Sequence, residues 1–254
     1  MYAEERQQAI AQLVSHQGRL SVAQLAEKFG VTTETVRRDL SSLDRIGLIR
    51  RVHGGAVPMS AVTSIESGLS ERDLAHTAAK DAVAAAAVAL LPPPGSMVII
   101  DAGTTTARLA AMLPRDHRLT VVTHAVTVAT RLAGLPHIEL FLLPGRVRPT
   151  THAAVGPDTV AALADLRADM AYVATNGLST HGLTTPDRDE AATKRAIVAA
   201  ARRAVVVTDS SKIGVEAPLR FAALTDVDTL VTDAGISAAD RTEIERAGVE
   251  VVVA

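Results

Sequence analysis

Ser21-Val-Ala-Gln-Leu-Ala-Glu-Lys-Phe-Gly30-Val-Thr-Thr-Glu-Thr-Val36-Arg-Arg-Asp-Leu40 reads as two short helices joined by a tight turn. Val22, Leu25, Ala26 and Phe29 recur at helical spacing behind Ser21, which is placed as an N-cap. Gly30 ends that helix, and Thr32 or Thr33 opens the next. There Val36, Leu40 and Leu43 share one apolar face, while Glu34, Arg38 and Ser41 lie opposite. Arg38 points out most squarely and Arg37 sits on the flank. A guanidinium fork matches guanine edges, and flank arginines with Thr32 and Thr33 match phosphate oxygens at a helix N-terminus. Outward from this stretch, Ile10, Leu13 and Val14 mark a helix upstream. Downstream, Gly47-Leu-Ile-Arg-Arg-Val-His-Gly-Gly-Ala56 reads as a strand, a glycine turn and a return strand. It carries Arg50, Arg51 and His53 to where they could touch a DNA backbone or minor groove. Helix-turn-helix geometry points to DNA; a three-helix docking module with a charged surface is the alternative.

Charge distribution fits DNA and a merely solvated charged face equally. The whole chain of 254 residues is net −2, yet residues 1–57 hold eight Lys/Arg against six Asp/Glu. Five arginines and two aspartates fall within Arg37–His53, a small basic patch on an otherwise acidic protein. Cysteine is absent, which excludes disulfides, cysteine nucleophiles and thiolate metal sites. Neither a cofactor nor a metal is expected. The polar N-terminus is unlike a signal peptide, and the longest apolar run, Ala82 to Leu91, is too short to span a membrane. A cytoplasmic protein without membrane contact is expected. Aromatic residues make up only 2% and Trp is absent, so cores must be built from Ala, Val, Leu and Ile.

After a linker at 58–70, rich in Ser, Thr and Pro, the texture changes. A long Ala-rich helix is expected over Glu71–Leu91. Strands are expected at Met97–Asp101, Leu119–Thr123, Ile138–Leu143, Met170–Ala174, Ala204–Thr208, Thr229–Thr232 and Val249–Val253. Helices are expected near 104–113, 124–133, 158–166, 187–203 and 238–247. Short continuous apolar strands alternating with helices imply a mostly parallel sheet covered on both faces. The organisation is therefore α/β, with an N-terminal winged helix-turn-helix domain over 1–57 and a sheet domain over 71–254.

Polar, glycine-rich and cationic segments close these strands. Asp101-Ala-Gly-Thr-Thr-Thr106 opens a helix; Gly103 allows close approach, and the hydroxyls and free N–H groups of Thr104, Thr105 and Thr106 suit an anion, although taken alone a Gly-Thr cap on such a loop is ordinary structural chemistry. Thr123-His124-Ala125, Pro144-Gly145-Arg146-Val147-Arg148, Thr175-Asn176-Gly177 and Asp209-Ser210-Ser211-Lys212 end neighbouring strands, where ligands of open α/β sheets collect. Glu190 and Lys194 share one helix face. A surface ion pair is the plain reading of these two, and the converging cationic loops favour a pocket role for Lys194.

The string from Ser21 to Leu40, with Leu43, Gly47-Leu-Ile and Arg51-Val-His-Gly-Gly-Ala56, resembles the signature of the DeoR family of repressors. This resemblance implies that Ser21 and the segment Thr32 to Asp39 lie at the DNA, including Thr33, Glu34, Thr35, Arg37 and Arg38. Asp101 to Thr106, Gly182-Leu-Thr-Thr-Pro with Glu190-Ala-Ala-Thr-Lys194-Arg, and Asp209-Ser-Ser-Lys212 resemble the same family's sensor domain. That domain is similar in fold to ribose-phosphate isomerase and binds phosphorylated sugars. The effector residues it implies are Asp101, Gly103, Thr104, Thr105, Thr106, His124, Arg146, Asn176, Gly177, Glu190, Lys194 and Lys212. His124 departs from the Asn usual in the family, and Thr193 from a common Val. Thr175-Asn176-Gly177 resembles actinobacterial regulators of fructose uptake, which implies fructose 1-phosphate as effector. The expected partners are double-stranded operator DNA, a phosphorylated sugar and further copies of the chain, as homodimer or homotetramer. The rival reading is a sugar-phosphate isomerase with a fused DNA-binding head. Isomerases of this fold carry an Asp-Gly-Ala-Asp string where this chain has Thr175-Asn176-Gly177-Leu178, so the carboxylates for proton transfer are missing and no enzyme is expected.

Overall fold

The structure, a computed structural model, describes residues 3–17, 20–46, 48–52, 54–58 and 68–254. Contacts divide the chain into two compact units, Met1–Glu66 and Ser67–Ala254.

The first unit contains helices α1 (Ala3–Gln17), α2 (Val22–Phe29) and α3 (Thr33–Arg45). A small antiparallel sheet joins them, formed by β1 (Leu20–Ser21), β2 (Ile49–Val52) and β3 (Gly55–Pro58) in the order β1-β3-β2. Ser21 and Gln24 start α2 with a reciprocal capping box. Thr32 caps α3, accepting a hydrogen bond from the Thr35 N–H at 3.2 Å. Val36, Leu40 and Leu43 turn inward onto Ile10, Val14, Leu25 and Ile49, as their spacing predicts. The pair β2–β3 is the expected hairpin; β1, two residues long, is a third strand that no periodicity announces.

The second unit centres on a seven-stranded parallel sheet. Its strands are β4 (Met97–Ile100), β5 (Leu119–Thr123), β6 (Ile138–Leu142), β9 (Met170–Val173), β12 (Ala204–Val207), β14 (Thr229–Thr232) and β15 (Glu250–Val253). The order is β15-β14-β12-β9-β4-β5-β6, and all seven coincide with the strands expected from the sequence. Successive residues feed opposite faces: Val98 and Ile100 enter one core and Ile99 the other, as Val205 and Val207 do against Val206. Helices α5 (Thr77–Val88), α6 (Thr104–Ala111), α7 (Val126–Leu132), α8 (Pro157–Ala164), α9 (Arg188–Ala199) and α10 (Ala238–Arg246) accompany the sheet. From β4 the chain builds outward through β5 and β6, and afterwards returns to β4's other side with β9. The switch point of the sheet therefore lies between the carboxyl ends of β4 and β9. Tyr172 of β9 is fully buried there, and its hydroxyl finds no hydrogen-bond partner among the described residues.

Two features depart from expectation. The helix anticipated over Glu71–Leu91 is broken into α4 (Leu69–Leu74) and α5, with His76 at φ 52 between them. The break is stabilised from downstream: Lys80 Nζ donates to the carbonyls of Arg72 and, at 2.6 Å, Ala75, and Thr77 Oγ1 donates to Leu74 O. Two small antiparallel sheets also sit beside the main one. One pairs β7 (Arg146–Arg148) with β8 (Ala153–Val155). The other joins β10 (Gly177–Ser179), β11 (Gly182–Thr185) and β13 (Leu219–Ala222). Among the described residues no helix is long and apolar enough to cross a membrane, and no group of three potential metal ligands occurs.

Candidate functional site

In the first unit, α3 presents its outer face to solvent. Arg38 is 82% exposed and Arg37 55%, each only loosely held by Glu34 at 3.8 and 3.5 Å. Such surface pairs contribute little, so both guanidinia are available. Thr33, Glu34 and Thr35 are exposed or half-exposed at the start of the helix. The hydroxyls of Ser21 and Thr32 are committed to capping. One implied position is corrected: Asp39 faces inward and cannot meet DNA. It is buried and accepts from Arg6 Nε at 2.6 Å and Gln7 Nε2 at 3.0 Å, which ties α1 to α3. Sequence periodicity offered a signal for this, because Asp39 lies three residues from Val36 and four from Leu43. Arg50 and Arg51 lie on β2. His53 lies outside the described residues.

In the second unit four of the candidate residues, Asp101, His124, Glu190 and Lys194, come together near the carboxyl ends of β4, β5 and β9. Asp101, directly after β4, is wholly buried. Its Oδ1 meets His124 Nε2 at 2.8 Å, and its Oδ2 accepts from Lys194 Nζ at 2.5 Å and from the Ala174 N–H at 2.8 Å. Burial by itself would raise this carboxyl, but Lys194 and then His124 outweigh it and hold the pKa at about 2. Lys194 Nζ also donates to Ala174 O, and His124 Nδ1 faces Ala154 O at 2.7 Å. One carboxylate thus fastens the ends of β4, β5 and β9 and the helix α9. Glu190, buried one turn before Lys194, pairs with Arg148. Arg148 also reaches Asp187 at 3.3 Å. The expected cation at this strand end is Arg146. It is instead 63% exposed and paired with Asp189 at 2.7 Å, whereas its neighbour Arg148 enters the cluster. The acidic string Asp187-Arg-Asp-Glu190 was the available signal that a buried cation was needed.

Beside this ionic knot, α6 begins without a side-chain cap. Gly103 precedes it, and a Cβ there would fall 2.8 Å from the Ala174 side chain. Only glycine lets the loop lie this close to β9. Thr106 Oγ1 returns to Gly103 O at 3.0 Å. Thr104 is nine-tenths buried, yet its hydroxyl has no hydrogen bond among the described residues. Gly103, Thr104 and Ala107 form one wall of a cleft whose other walls are Leu69, Ser70 and Asp73 of α4 and Thr127 and Arg131 of α7. Free N–H groups and a positive helix end facing an open cleft are suited to an anion. Asn176 is turned to Thr185, Gly177 packs against the Val215 carbonyl, and Lys212 lies half-buried in a short turn after β12. None of these three lines the cleft.

A winged helix-turn-helix unit followed by an α/β unit with an anion-ready cleft defines a regulator of transcription with a sensing domain. Comparison agrees in both halves: residues 6–62 match the DeoR-like helix-turn-helix domain, and residues 75–234 match the DeoR C-terminal sensor domain. The chain belongs to the DeoR family of transcriptional regulators. It is 38% identical over 253 residues to the HTH-type transcriptional regulator GlpR of Haloferax volcanii, covering 99% of this chain and 98% of that one. It is 33% identical to the glycerol-3-phosphate regulon repressor of Escherichia coli K12, covering 92% of each. Among solved structures, ribose 5-phosphate isomerase A from Methanocaldococcus jannaschii aligns over 53% of each chain at 17% identity, with a TM-score of 0.39.

Proposed function

We propose that this protein is a cytoplasmic repressor of a sugar-metabolism operon, released from its operator by a phosphorylated sugar. In this reading residues 1–57 bind DNA, 58–70 link, and 71–254 sense. The observation that carries it is the uncapped start of α6, with the unpartnered Thr104 hydroxyl, opening into a cleft bounded by α4, α6 and α7. A phosphate there accepts charge-assisted hydrogen bonds from backbone N–H groups and the Thr104 hydroxyl, which a neutral sugar cannot replace. Asp101, His124, Glu190 and Lys194 act beneath it. The charges of Asp101 and Lys194 are met by each other and that of Glu190 by Arg148, so these residues shape the loops and leave anion contact to Gly103 and Thr104. The same burial argues against an isomerase, since Glu190 and Lys194 are no longer free to move a substrate proton. The chain acts as a homodimer or homotetramer, because helix-turn-helix proteins read repeated half-sites. Fructose 1-phosphate is the first effector to test, for the Thr175-Asn176-Gly177 resemblance, and glycerol 3-phosphate the second, for the name of the K12 relative.

The test is a gel shift on DNA upstream of the protein's own gene. Retardation is expected in the free state, with release by one of the two phosphates and none by free fructose or glycerol. Equal release by free sugars would overturn the phosphate reading. Binding with no preference over random DNA would overturn the operator reading.

A further inference from the structure

The cleft has a second chemical character at the wall facing α6. Asp73 of α4 lines it, 51% exposed, with Ser70 one turn before. Arg108 of α6 fixes this carboxylate: Nη1 donates to Asp73 Oδ1 and, at 3.2 Å, to Thr104 O. Nη2 donates to Asp73 O at 2.9 Å, and Nε to Asp81 of α5 at 2.8 Å. One guanidinium therefore bonds both the carboxylate and the first residue of the anion-ready helix. Asp73 Oδ2 has no hydrogen bond among the described residues.

Resting on the effector reading above, we propose that Asp73 is the specificity-determining residue of the cleft. It accepts the hydroxyls of a sugar or polyol monophosphate whose phosphate lies at Gly103–Thr104, and it repels a second phosphate. The cleft has three walls: an uncapped helix start, a basic side chain at Arg131, and the Ser70–Asp73 face of α4. A ligand filling it carries its anion at one end and hydroxyls at the other. A hydroxyl donates to the free Oδ2 and replaces that oxygen's water. A bisphosphate sets a second dianion against a carboxylate that Arg108 prevents from swinging away, and like charges at such range disfavour binding. Inorganic phosphate fills only the α6 end, so it binds without consulting Asp73.

Calorimetric titration of the full chain with inorganic phosphate, fructose 1-phosphate, glycerol 3-phosphate and fructose 1,6-bisphosphate tests this. The wild type is expected to bind at least one monophosphate about tenfold or more tighter than either inorganic phosphate or the bisphosphate. Asp73→Asn should bring the bisphosphate to within about threefold of that monophosphate. Asp73→Ala should weaken the monophosphate towards inorganic phosphate, whose own affinity stays unchanged in both variants. A wild type that takes the bisphosphate as readily as the monophosphates, or an Asp73→Asn protein with undiminished discrimination, overturns the role of Asp73 alone. Failure of every phosphate species to bind the wild type overturns the effector site itself. A circular-dichroism melt of each variant, matching the wild type, verifies that the half-exposed position has not cost the fold.

Discussion

Asp101 holds its charge in the interior because Lys194 and His124 are there to meet it, and the arrangement fails in a defined direction if either condition lapses. Removing one partner of a buried ion pair costs about 3–5 kcal/mol, because the remaining charge is left uncompensated. Lys194→Met should therefore destabilise the sensor unit by about that much in urea unfolding. Combining it with Asp101→Asn should recover part of the loss, the signature of coupled sites. Acid probes the same contact. The folded carboxyl sits at about 2 against an ordinary 3.8, so its contribution is complete above about pH 4 and lost as pH falls towards 2. Asp101→Asn should flatten the stability profile in that window. On the other unit, Arg38 makes only a loose contact with Glu34, so Arg38→Ala should leave the melting temperature nearly unchanged. Specific operator affinity should drop by about 1–3 kcal/mol, with relaxed preference at one base per half-site. An unchanged ratio of operator to random DNA in quantitative gel shifts would remove Arg38 from the groove.

At the scale of elements, a close fit joins β1 to β3. Gly55 of β3 stands opposite Ser21 of β1, and a Cβ added to it would fall 2.1 Å from the Leu20 carbonyl oxygen. Gly55→Ala must part β1 from β3, at a cost of about 1–3 kcal/mol for forced overpacking. It should lower head stability in denaturant and DNA affinity together; a variant as stable as the parent would show that the strand can shift. This element also shows what a sequence displays and what it hides. The seven strands of the main sheet are legible as short, mostly apolar runs; the inner five are buried nearly throughout, whereas the edge strands β6 and β15 keep the apolar character although half exposed. Strands β1, β7, β8, β10, β11 and β13 are two to four residues long, and β7, β10, β11 and β13 carry arginines, glycines or threonines that serve loops equally well. Their pairing is decided by distant partners. The break between α4 and α5 was hidden for the same reason, since alanines favour a continuous helix and the stabilising Lys80 contacts are tertiary. Within the candidate site, the residue types were legible but their roles were not. The sequence places Lys194 and Glu190 at a ligand, whereas burial turns them towards Asp101 and Arg148. Arg108 and Asp73 belong to no motif and were found only by proximity.

For the whole molecule, the head and the sensor unit own separate cores, with no buried apolar residue in common among the described residues. Units with independent cores unfold with independent free energies. Scanning calorimetry of the full chain should show two transitions, the larger belonging to Ser67–Ala254. An effector that binds the folded sensor should raise that transition by mass action and leave the smaller one in place. A single transition, or an equal shift of both, would mean that the units melt as one body.

Tyr172 gives the molecule an optical property that its designer-like economy of aromatics makes usable. The chain has no Trp and two Tyr, Tyr2 and Tyr172. With no indole to mask them, its ultraviolet emission comes from two phenols, one near the chain start and one at the heart of the sensor sheet. The Tyr172 carbonyl accepts from the Asp101 N–H at 3.0 Å, and its side chain belongs to the core that Val98, Ile100 and Leu109 share. Light emitted by the native, unlabelled protein therefore reports, through Tyr172, from the buried core on one face of the sensor sheet. A Tyr2→Phe variant would leave that report uncontaminated.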